Sequence, residues 1–191
     1  MTAKTGFDAA RHLPVLETGL PVLPDRVSPG EPVPVAMWTG PRFGAVYAIE
    51  DCPHDPYCGT DEHYVATHYT YRRGPDGWDL PDGSGSDDWP GGTSTKTSLE
   101  PREVRSDSGR YGSSRSWICR MVVGSAGSDA RWVELQEGAE TTRRPIADTG
   151  AFVVVVDGDG PAVVRVLDQE DHPLYTRIFE STDDEEKSTP H

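Results

Sequence analysis

Proline and glycine interrupt this chain so often that no segment can sustain a long helix. Seventeen Pro and 20 Gly are spread through 191 residues, and no long stretch keeps the 3.6-residue apolar period of an amphipathic helix. The restriction is sharpest at the start, where Pro14, Pro21, Pro24, Pro29 and Pro32 follow one another. Residues 1–32 therefore read as an extended arm, with room for a single helical turn around Phe7–His12.

Between these interruptions lie short runs of alternating character. Strands are predicted at 33–39 and 44–50 around the turn Gly40-Pro41-Arg42-Phe43. In the first, Val35, Met37 and Thr39 share one face and Ala36 and Trp38 the other. In the second, Val46 and Ala48 oppose Ala45, Tyr47 and Ile49. A strand at 63–73 passes through Gly74-Pro75-Asp76-Gly77 into a short partner at 78–80. Further strands are predicted at 117–124, 130–137, 151–156, 162–168 and 174–179. The segment Asp157-Gly158-Asp159-Gly160-Pro161 is the strongest hairpin signal and should pair 151–156 with 162–168. The run Phe152–Val156 lacks polar alternation, as a central strand buried on both faces does. The fold class is thus mainly β, an antiparallel β-sandwich or small open barrel, with one domain at 33–180.

Composition fills in the remainder. Hydrophobic residues make up 35% of the chain, lean for a globular protein, so a β core with substantial irregular segments is expected. Residues 81–116 are rich in Gly, Ser, Asp and Thr and read as a flexible insertion. Residues 181–191 read as a disordered acidic tail. The start lacks the apolar core of a secretory signal, and no apolar run approaches the ~20 residues of a bilayer span. A cytoplasmic location and no membrane partner follow as expectations. The three cysteines then read as thiols or ligands rather than as a disulfide framework.

The formal net charge is −14. Such a surface repels phosphate backbones, which argues against direct nucleic-acid binding, and suits solubility or a basic protein partner.

One cluster offers metal chemistry. Cys52, His54, Cys58, His63 and His68 supply the thiolate and imidazole ligands of a tetrahedral zinc site, and zinc is the cofactor such a loop would take. The spacing lacks the Cys-x2-Cys knuckle, and a regular strand at 63–73 would point His63 and His68 to opposite faces. Asp157, Asp159 and Gly160 resemble the start of a calcium loop, but the twelfth position is Asp168 rather than Glu, so a turn is the better reading. No Walker loop, dinucleotide fingerprint, His-Glu-x-x-His or nucleophile elbow occurs. Tyr64, Tyr69, Tyr71 and Trp78 are expected in the core. Trp89, flanked by Asp87, Asp88, Pro90, Gly91 and Gly92, is the candidate anchor for a protein or sugar ligand.

The resulting expectation is a non-enzymatic, macromolecule-binding or regulatory β-domain without a cofactor. One concrete form is an immunity or inhibitor protein that covers a basic toxin. The alternative is a zinc-binding domain or metal-dependent enzyme using the Cys/His residues between 52 and 68.

Overall fold

The structure, a computed structural model, describes residues 9–51, 64–79, 84–111 and 119–181. Its strands are β1 (Val33–Thr39), β2 (Phe43–Asp51), β3 (Tyr64–Gly74), β4 (Gly77–Asp79), β5 (Ser84–Asp88), β6 (Val104–Tyr111), β7 (Cys119–Ala126), β8 (Trp132–Glu137), β9 (Glu140–Pro145), β10 (Ala151–Val156), β11 (Ala162–Leu167) and β12 (Pro173–Phe179). They form three antiparallel sheets, with no closed barrel. The first runs β1-β2-β3 and then divides, since β3 pairs with both β4 and β5. The second runs β10-β7-β6, and the third β12-β11-β8-β9. The mainly β, sandwich-like class expected from the alternation is what the chain adopts. No helix among the described residues is long and apolar enough to cross a membrane.

The second sheet is covered on both faces where β7 begins. Cys119 is fully buried in the main core and faces Thr70 of the first sheet. The adjacent side chain, Arg120, points the other way and reaches Phe179 and the Glu180 carbonyl at the end of β12. Every residue of β7 and β10 is buried, which is why the run from Val153 to Val156 tolerates no polar alternation. The main core joins Val35, Phe43 and Tyr47 of the first sheet to Met121 and Val155 of the second and Val133 and Val164 of the third.

A smaller core lies on the opposite face of the first sheet. There α1 (Leu13–Thr18) sets Val15 and Leu16 against Val46, Ala48, Tyr69 and Tyr71. The helix begins with Pro14 in its first turn, where a missing N–H costs no hydrogen bond. Two cores explain why β2 is buried along nearly its whole length while its sequence still alternates.

Several expectations need correction. The arm at 1–32 contains, over its described part, a 3₁₀ turn at Ala9–His12 that leads on into the short helix α1, and Val27 is buried with its N–H donated to the Tyr64 hydroxyl at 3.1 Å. The segment 81–116 is not a structureless insertion where it is described, because it contributes β5 and β6. β6 is an edge strand with exposed Arg105, Ser106 and Asp107, so its polar sequence hides a strand whose register comes from β7. The same blindness missed β9, another polar edge. β10 and β11 do not form a hairpin, because they belong to different sheets. β10 is buried as expected, yet it ends its sheet's hydrogen-bonded order rather than sitting at its centre, its flank lying against β1 and β2. A bulge between Pro34 and Ala36 also breaks the predicted parity of β1, so Val35 joins Ala36 and Trp38 in the main core. The tail beyond residue 181 lies outside the described residues.

Candidate functional site

The connection from β10 to β11 is held by its neighbours. Asp157 Oδ1 accepts hydrogen bonds from the backbone N–H of Arg42, at 3.0 Å, and of Phe43, at 2.9 Å. It thereby caps the β1–β2 turn. Gly40 packs so closely on this carboxylate that a Cβ there would lie 1.7 Å from Asp157 Oδ2, so no larger residue fits. Burial raises the Asp157 pKa, and the two amides and the Arg42 charge work against that rise while Glu137 adds to it.

On the other side, the Gly158 N–H donates to Glu137 Oε1 at 2.7 Å. Arg120 donates to the carbonyls of Gly158 and Gly160, each at 2.5 Å, and of Glu180 at 2.7 Å. These bonds draw three chain segments to one end of the molecule: the β8–β9 turn with Glu137 and Glu140, the β10–β11 connection with Asp157 and Asp159, and the end of β12 with Glu180. Glu140, Asp159 and Glu180 are exposed and Glu137 is half-buried. Arg42 approaches Asp159 at 3.6 Å, but both side chains are more than half exposed, so the pair is weak. The result is an acidic rim, with the Arg42 guanidinium beside Asp159. The next residues in sequence include Asp183, Asp184, Glu185 and Glu186.

The residues singled out from sequence fare differently. Cys52, His54, Cys58 and His63 lie outside the described residues. His68 is buried in β3, with Gly85 packed against its ring; a Cβ at Gly85 would lie 2.4 Å from His68 Cε1. Burial lowers the His68 pKa to about 4, opposed by the charge of Asp107. Trp89 is not a presented anchor. It is 2% exposed, meets Tyr47 edge-on at 6.2 Å, and donates its indole N–H to Ser94 O at 2.7 Å. Its polar neighbours made it look loop-like, but the turn folds its ring inward. Tyr64, Tyr69 and Tyr71 are buried as expected, and Trp78 is half-buried beneath Arg73.

Among the described residues, metal-ligand types gather at Asp168, Glu170 and His172, within 4.8 Å of one another. Asp168 Oδ1 accepts the N–H groups of Glu170 at 3.0 Å and His172 at 2.9 Å. Its Oδ2 faces Arg102 at 3.4 Å. The His172 N–H bond is foremost in lowering the Asp168 pKa. The carboxylate is occupied in shaping the β11–β12 turn, where Asp171 takes a left-handed φ of 66°. The rim residues escaped sequence reading because each stands alone in its own turn; only the acidic surplus hinted at them. No protein-family model, curated protein or solved structure matches this chain.

Proposed function

We propose that this protein is a non-enzymatic binding or regulatory domain of the cytoplasm whose acidic end docks on a basic protein. The convergence of Glu137, Glu140, Asp159 and Glu180 around the Arg120 junction carries this reading. The segments that carry them are fixed by side chain–backbone hydrogen bonds, which limits the backbone ordering cost on binding. A fixed acidic rim on a chain of net charge −14 attracts cationic partners over distance and repels nucleic-acid phosphates. The specific form proposed is an inhibitor or immunity role, in which the rim covers a basic active surface.

The test compares the full chain with a fourfold variant, Glu137→Gln, Glu140→Gln, Asp159→Asn and Glu180→Gln, as bait in extract of the cells that produce it. Glutamine at 137 keeps the acceptor for the Gly158 N–H. The expected result is retention of a basic protein at about 0.1 M salt, its release near 1 M salt, where the Debye length falls to about 3 Å, and no retention by the variant. Undiminished capture by the variant, or capture only of acidic proteins, overturns the proposal.

A further inference from the structure

Among the described residues, Arg144 carries a charge with no ion-pair partner. It stands on β9 opposite Val133, whose side chain is buried, so both face inward. Its guanidinium lies 4.2 Å from the centroid of the Trp38 ring and donates through Nη2 to Thr39 O at 2.7 Å. Among the described residues no carboxylate lies within ion-pairing distance of it. Its sequence neighbour Arg143, on the outer face, offers the contrast, being paired with Asp171 and stacked on Trp132. Arg144 is half-buried, and that partial burial lowers its pKa. One carbonyl and one ring face engage this half-buried guanidinium, and a carboxylate would be its strongest further partner.

What surrounds Arg144 is apolar. An open cavity of about 270 Å³ is walled by Leu20, Met37, Trp38, Val133 and Phe152 among others, and Arg144 is its only ionisable lining residue among the described residues. Leu20 and Ala147 also line a neighbouring groove of about 530 Å³, where Lys96 stands with Asp25 and Asp148.

We propose that the Arg144 cavity binds a small monocarboxylate with an apolar body, an aliphatic or aryl carboxylic acid. The carboxylate pairs with Arg144, whose planar fork matches two oxygens at once. The hydrocarbon lies against Trp38, Met37 and Phe152. A phosphate dianion fits poorly, because a second negative charge would be buried against walls that supply no second cation. A neutral molecule would leave the guanidinium unpaired. The volume lies just below the roughly 300 Å³ at which drug-sized pockets begin, which sets a ligand of modest size. General electrostatics cannot mimic this site, since a chain of net charge −14 repels free anions.

Octanoate is the probe, with octanamide as its neutral counterpart, titrated by calorimetry into the unaltered full chain and into Arg144→Gln. Octanoate is expected to bind saturably, with a dissociation constant in the millimolar range or below, as befits so few atoms. Octanamide is expected to bind about tenfold more weakly, and Arg144→Gln to reduce octanoate affinity by about the same factor while leaving octanamide nearly unchanged. Equal binding of acid and amide, no saturable binding of octanoate up to about 10 mM, or full octanoate affinity in a folded Arg144→Gln protein would each overturn the proposal. The acid–amide comparison needs no variant, so a folding defect in Arg144→Gln leaves the test decisive. Arg144→Lys, which keeps the charge, should retain the preference for the acid.

Discussion

Replacing Arg120 with Met should cost this protein a large part of its stability. The side chain is 2% exposed, and its guanidinium donates to three carbonyls, Gly158, Gly160 and Glu180, while lying 5.5 Å from the Phe179 ring centroid. Each hydrogen bond from a charged donor is worth roughly 1.5–3 kcal/mol net, and the cation–π contact adds about 0.5–2 kcal/mol. Against this stands the desolvation of a buried cation, several kcal/mol, which methionine does not incur. Glu180 and Gly158 lie near the surface, so their carbonyls regain water in the variant. The balance is a loss of about 3–5 kcal/mol, out of the roughly 5–15 kcal/mol that domains possess. Urea unfolding followed by tryptophan fluorescence measures it. At a slope of about 2 kcal/mol per molar, the midpoint should fall by roughly 1.5–2.5 M. Arg120→Lys should recover less than half, because an ammonium cannot span three carbonyls in the plane of a guanidinium. If Arg120→Met is as stable as the parent, desolvation outweighs the clamp and the reasoning fails.

Three further outcomes follow from buried polar groups. His68 has a pKa of about 4 against an ordinary 6.5, so the unfolded chain takes up its proton first as pH falls. The stability conferred by neutral His68 is complete above about pH 6.5 and lost progressively down to about pH 4, some 3 kcal/mol in all. Unfolding free energies over that range should fall less steeply in His68→Gln, and parallel curves would refute the assignment. Asp157→Ala strips the acceptor from two turn amides and should cost about 2–4 kcal/mol, with Asp157→Asn costing less than half as much; a denaturation midpoint unchanged in the Ala variant would contradict the capping role. Burial pushes the Cys119 thiol up to about 12, so a disulfide reagent should leave it unmodified in the native protein and modify it in denaturant. Labelling of native Cys119 at the rate of a peptide thiol would show that β7 opens.

Alternation by itself determined the strand character of β1, β2, β3, β7, β8, β11 and β12, and the division of β2 into a Val46–Ala48 face and a Tyr47–Ile49 face. The physical reason is local: a pleated strand sends successive side chains to opposite sides, so burial is written at period two. β5, β6 and β9 left little trace, because an edge strand exposes polar residues and takes its register from its partner. Trp89 looked exposed for the same reason in reverse, since the neighbours that shape a turn do not show which way the ring folds. Only the tertiary structure sent β10 and β11 to different sheets, since Asp157 binds the β1–β2 turn and Arg120 gathers the carbonyls on either side. The acidic rim and the solitary Arg144 were decided at the same level. Each depends on residues far apart in the chain, and a carboxylate's neighbours, or a guanidinium's lack of them, are properties of distance in space that no spacing along the sequence encodes.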